Sequence, residues 1–119
     1  SKMSKTIRID DEVYARLGAL STDFDSPSET IRKIVLQYET TIAADLIRPV
    51  IEGKKENLIA EEKLGLKKCS FTVLHHFDVE AVKSVMESIK SELSASGEFE
   101  VTYDCSINAL TGEVQKKEK

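Results

Sequence analysis

The sequence predicts an α+β protein built in two parts. Three observations carry this prediction. A short stretch of strict alternation at residues 5–9 is followed by two amphipathic helical segments. A strand-helix-strand pattern occupies residues 67–115. Between them lies a stretch with helical periodicity and no β signal.

In Lys5-Thr6-Ile7-Arg8-Ile9, the two isoleucines point one way and Thr6 and Arg8 the other. So short a strand buries little and leaves its hydrogen-bonding edges open, so it needs a second strand. No β-rich segment follows within sixty residues. The simplest partner is the same strand of a second copy, giving a two-stranded antiparallel ribbon. Asp10-Asp11-Glu12 then reads as a helix start, because acids suit the positive end of the helix dipole. Val13, Tyr14, Leu17 and Leu20 recur at helical spacing. Residues 21–25 are polar and turn-like apart from Phe24. Ser26-Pro27-Ser28-Glu29 has the form of a capping box, with proline at the first helical position. Ile31, Ile34, Val35 and Tyr38 line one face of the helix it opens.

Strand, helix, turn and capped helix, carried by KTIRIDDEVYARL and SPSETIRKIVLQY, resemble the ribbon-helix-helix (MetJ/Arc/CopG-like) family of dimeric DNA-binding proteins. The resemblance covers residues 3–38, about a third of the chain. It implies a ribbon in the major groove, with Ser4, Thr6 and Arg8 at base edges. It also implies a backbone phosphate held at the second helix's start by Ser26, Ser28 and Glu29. Two features depart from the family: Phe24-Asp25 stands where glycine is frequent, and Glu29 sets an acid beside the expected phosphate. In the implied dimer Ile7 and Ile9 lie under the ribbon, Leu17, Leu20, Ile31, Ile34 and Val35 close beneath, and Phe24 plugs the turn. One copy holds too few apolar residues for a core of its own, so pairing is obligatory in this reading.

Residues 3–40 thus read as the DNA-binding domain, 41–66 as a helical linker and 67–115 as a βαβ module. In the linker, Ile42, Leu46 and Ile47 extend the apolar stripe, Pro49 interrupts or kinks it, and Gly53-Lys54-Lys55 reads as a break. Residues 57–64 form a short helix closed by Gly65. In the module, residues 69–77 and 98–109 alternate as strands. The helix between them is capped by Asp78 and closed by Gly97, with an apolar stripe of Val79, Val82, Val85, Met86, Ile89 and Leu93. Residues 110–113 read as a turn, and Val114 as the start of a short third strand. Such a module is half a core. Two copies would resemble ferredoxin-like or ACT-like domains, and the pairing would support oligomerisation, to a dimer or tetramer, or effector sensing.

With 40% apolar and 32% charged residues, the 119-residue chain has the composition of a folded globular protein. No apolar run is long enough to span a membrane, and no signal-peptide pattern stands at the N-terminus, so a cytoplasmic location is expected. Ser1-Lys2 ahead of Met3 is set aside from fold reasoning. The net charge of −4 falls wholly on residues beyond Tyr38, since acids and bases balance before it. Non-specific affinity for DNA comes mainly from phosphate neutralisation, so it should be weak.

Cys69, His75, His76 and Cys105 are chemically competent ligands for a soft metal. However, Cys69 and His75 would lie ~20 Å apart along a strand, and His75 and His76 point to opposite faces. The cysteines read better as small buried apolar residues, so no metal or other cofactor is expected. A Cys105–His75 nucleophile pair lacks an orienting third group, and no glycine-rich phosphate loop, CxxC or HExxH occurs. The expectation is a non-enzymatic, sequence-specific transcriptional regulator, a prokaryotic or viral repressor acting as a dimer or dimer of dimers on double-stranded DNA. Two other readings are an antitoxin-type protein whose acidic C-terminal half binds a partner, and a metal- or ligand-responsive regulator.

Overall fold

The computed structural model describes residues 4–22 and 25–117. It is α+β, with helices α1 (Asp11–Leu20), α2 (Pro27–Ala60) and α3 (Val79–Ser96) and strands β1 (Lys68–Leu74), β2 (Phe99–Cys105) and β3 (Ala109–Lys116). A 3₁₀ turn, Glu62–Leu64, follows α2 and ends at Gly65 in the left-handed region. The chain divides into two compact units, Ser1–Val35 and Leu36–Lys119.

In the first unit, residues 4–10 precede α1 and pair with no strand among the described residues. The helix starts where the acids predict, although Asp10 makes no side-chain cap. Its carbonyl instead accepts from the Tyr14 amide at 2.9 Å. Leu17 and Thr30 are the buried side chains among this unit's described residues. Leu20, Ile34 and Val35, expected in a shared core, are exposed in the single chain. Phe24, expected to plug the turn, and Met3, where the resemblance begins, lie outside the described residues.

In the second unit a three-stranded antiparallel sheet has the order β1-β3-β2. Ala43, Ile47, Ile51 and Leu58 of α2 share one core with α3 and with Phe71, Val73, Phe99, Val101, Leu110 and Val114 of the sheet. The buried stripe of α3 is Ala81, Val82, Val85, Met86, Ile89 and Leu93. Asp78 caps that helix by accepting from the Glu80 amide at 2.8 Å, and Gly97 closes it at φ 75°.

Four expectations need correction. First, α2 runs through both Pro49 and Gly53–Lys55. Pro49 faces solvent, and the stripe Ala43, Ile47, Ile51 on both sides of it is buried, so packing holds the helix across one missing hydrogen bond. The helix ends at Ala60, so residues 57–64 are not a separate helix; only the stop at Gly65 stands. The buried stripe also differs from the expected one: Ile47 is buried, whereas Ile42 and Leu46 are exposed.

Second, residues 98–109 are not one strand. β2 ends at Cys105, and the chain turns over Ser106–Asn108 into β3, with the Ser106 amide bonded to the Ala109 carbonyl at 2.8 Å. Ile107 keeps the alternation in sequence but is 79% exposed. Third, residues 110–113 are the middle of β3, not a turn. Gly112 is there for want of space. A Cβ on it would lie 2.3 Å from the Thr102 carbonyl oxygen and 2.7 Å from Cζ of Phe71. Fourth, β1 and β2 are not neighbours. Each pairs antiparallel with β3, which lies between them, so the β1-α3-β2 unit is split by an inserted strand. β1 also ends at Leu74, short of the expected Phe77.

Candidate nucleic-acid interface

Ser4, Thr6 and Arg8 lie in the stretch ahead of α1 and are exposed, as is every residue from 4 to 16. Ile7 is 70% exposed. Thr6 and Arg8 therefore sit on a backbone whose amides and carbonyls have no strand partner among the described residues. Val13, Tyr14 and Leu20 on α1 and Ile34 and Val35 on α2 also expose large apolar surface, and Leu20 is 65% exposed. Both helices thus leave an apolar side open in the single chain.

The start of α2 carries the other predicted residues, Ser26, Ser28 and Glu29. Ser26 Oγ accepts from the Glu29 amide at 3.2 Å, which is one arm of a capping box. The Ser26 carbonyl accepts from the Thr30 amide at 3.1 Å. Proline at 27 has no amide hydrogen and Glu29 has used its own, so Ser28 is the first-turn residue with both an N–H and a hydroxyl to offer. Glu29 is exposed beside it.

Two features of this unit were not foreseen from the sequence. Asp25 Oδ2 accepts from Lys33 Nζ at 2.7 Å and from Thr22 Oγ1 at 2.9 Å. The ammonium, then the hydroxyl, hold the Asp25 carboxyl down to about 2. Lys33 is thus committed to Asp25. Arg16 pairs with Glu12 at 2.7 Å, while Lys5, Arg8 and Arg32 are also exposed cations. In addition, Thr30 is buried, and its hydroxyl meets Ser21 Oγ at 2.6 Å while Ser21 Oγ donates to the Leu17 carbonyl at 2.8 Å. The end of α1 is thereby tied to the first turn of α2. A hydroxyl pair separated by nine residues leaves no periodic signal in sequence.

No protein-family model matches the chain, and neither a curated protein nor a solved structure is detectably similar to it. The site must therefore be read from its own geometry.

The sulfur and imidazole groups do not converge. On the helix-covered face of the sheet, Cys69 shares a row with Val114 and Val101, while Cys105 shares one with Leu110 and Val73. Those rows lie four residues apart, about 13 Å along the strands. His75 is buried, and its ring is occupied at both nitrogens: Nδ1 accepts from the Phe77 amide and Nε2 faces the Ser106 carbonyl, each at 3.1 Å. An amide can only donate to Nδ1, so the hydrogen sits on Nε2 and is donated to Ser106. The ring also stacks on Phe77, and its role is to fasten the end of β1 to the β2–β3 turn. His76 is exposed. Among the described residues, no group of three or more His, Cys, Asp or Glu side chains is placed to hold a metal ion. Burial pushes the Cys105 thiol up, which disfavours the thiolate a nucleophile needs. Among the described residues, no helix is long and apolar enough to cross a membrane.

Proposed function

We propose that this protein is a homodimeric, sequence-specific DNA-binding regulator of transcription. In this reading, residues 5–9 of two copies pair as an antiparallel ribbon that enters the major groove. Ile7 and Ile9 face the shared core, and Thr6 and Arg8 face base edges, where arginine is the natural bidentate partner of guanine. Ser4 lies at the ribbon's mouth. The Ser28 amide and hydroxyl at the start of α2 receive a backbone phosphate, with Ser26 shaping that turn and Glu29 flanking it. Repression by occupying a promoter is the role this arrangement serves most directly.

The observation that carries the proposal is the unsatisfied state of the first unit. Residues 4–10 pair with no strand among the described residues, and the apolar faces of α1 and α2 are open. A second copy would satisfy both at once. The charge pattern is compatible, because the acids of this unit, Asp10–Glu12, Asp23, Asp25 and Glu29, all lie outside the alternating stretch.

The test is selection from random duplexes at near-physiological salt, followed by sequencing of the retained DNA. An enriched palindromic or repeated motif is the expected result. Arg8→Ala should then weaken binding to that motif at least about tenfold, since a bidentate base contact is worth roughly 1–3 kcal/mol. The dimer should persist in that variant. No retention even at low salt would refute the proposal.

A further inference from the structure

The free edge of β1 is unprotected, and we infer that it pairs antiparallel with β1 of a second copy, joining two C-terminal sheets into one of six strands. This seam lies wholly within the second unit and does not depend on the DNA-binding reading.

The strand register shows which groups are free. Across β1 and β3, Lys67 pairs with Lys116 and His75 with Asn108 through backbone bonds, at 3.0 and 3.1 Å. Hydrogen-bonded pairs alternate along an antiparallel ladder, so the odd-numbered residues of β1 bond to β3. The amides and carbonyls of Ser70 and Thr72 therefore point outward, away from the sheet. By the same reasoning β2 turns Phe99, Val101, Tyr103 and Cys105 outward.

The two edges differ in how they discourage pairing. Exposed edges are normally blunted with charge, proline or a bulge. β2 carries Glu100 and Asp104. If two β2 strands paired about Thr102, Glu100 of each copy would face Asp104 of the other, twice over. β1 reads Lys-Cys-Ser-Phe-Thr-Val-Leu, with no charge after Lys68 and no proline. Its pairing with β3 is in unbroken register, without a bulge. Paired about Phe71, β1 sets Ser70 of each copy against Thr72 of the other and Lys68 against Leu74, so no like charges meet. The hydrogen-bonding phase also agrees, because Ser70 and Thr72 both have outward amides. Phe71 presents no obstacle, since its ring leans over Gly112 toward β3. Leu74, 77% exposed at the end of this strand, would gain cover from the Lys68 stem opposite it. Pairing β1 with β2 would be heterologous and open-ended, whereas β1 with β1 closes after two copies.

The test is residue-resolved amide exchange on the full chain without DNA. Ser70 and Thr72 amides should exchange at least about 100-fold slower than free-peptide rates, like the β3-bonded amides of Phe71 and Val73. In a mixture of isotope-labelled and unlabelled copies, the Phe71 α-hydrogens of the two should show a mutual Overhauser contact. Thr72→Pro removes an outward N–H and sets its ring on the free edge; it should free the Ser70 amide while Phe71 and Val73 stay protected. If that variant loses protection at Phe71 and Val73 as well, the pair of substitutions Ser70→Lys and Thr72→Lys replaces it, with the same expectation. Thr102→Lys on the opposite edge should change nothing at β1. Fast exchange at Ser70 and Thr72 in the wild type would overturn the seam. So would protection without the inter-copy contact, because the edge would then be covered by something other than a second β1.

Discussion

At the scale of single residues, Asp25 and Gly112 show how local chemistry decides larger outcomes. Asp25 is the clamp between the turn and α2, and its carboxyl is held down to about 2 by Lys33 and Thr22. A carboxyl with a lowered folded-state value stabilises the fold above the ordinary value near 4, and that contribution is lost as pH falls through about 2. Carbon-detected titration of Asp25 should therefore give a midpoint near 2, and Asp25→Asn should flatten the acid dependence of the first unit between about pH 4 and 2. A midpoint near 4 would mean that Lys33 is free. Gly112 is decided by space, because the Thr102 carbonyl and the Phe71 ring occupy the volume of a Cβ. Gly112→Ala should destabilise the second unit by about 1–3 kcal/mol, measured by denaturant unfolding. A neutral result would show that both the Thr102 carbonyl and the Phe71 ring can move aside.

At the scale of elements, α2 shows tertiary packing overriding local preference. Pro49 is exposed, cannot donate to the carbonyl four residues back, and lies between the buried Ile47 and Ile51. Pro49→Ala should restore that bond without opening a cavity and raise stability by about 1–3 kcal/mol, seen as a higher melting temperature. A loss of stability would show that the proline sets a bend the core requires. The start of the same helix depends on Ser26, whose Oγ accepts from the Glu29 amide. Ser26→Ala should cost about 1 kcal/mol in the first unit. In α3, Met86 is fully buried, and Met86→Ala should cost about 2–5 kcal/mol by leaving a cavity. The Arg48–Glu92 pair joins α2 to α3 through two hydrogen bonds of 2.7 and 3.0 Å. It raises the arginine's proton affinity and lowers the glutamate's. Both ends remain well exposed, so its removal should leave the unfolding midpoint almost unchanged.

At the scale of the whole molecule, the two units differ in self-sufficiency. The second has a continuous core drawn from α2, α3 and all three strands. Among its described residues the first buries only Leu17 and Thr30. Unfolding should therefore occur in two steps, with the first unit's step depending on protein concentration, because a second copy enters its equilibrium. Equilibrium unfolding at two concentrations a hundredfold apart would show this. Concentration-independent unfolding of residues 11–35 would contradict obligate pairing.

The sequence by itself determined the α+β class, the starts of α1 and α2, and the cap and stop of α3. These rest on local signals: capping residues, a glycine stop and apolar spacing of 3.6 or 2. Tertiary structure alone decided the continuity of α2 through Pro49, the insertion of β3 between β1 and β2, and the turn at Ser106–Asn108. In each case the deciding contact comes from far along the chain. The core holds Pro49 in a helix, Phe71 and Thr102 require Gly112 within a strand, and His75 binds the Ser106 carbonyl to fix where the hairpin folds. Local propensity points the other way at each of these positions, so no reading of neighbours in sequence reaches them.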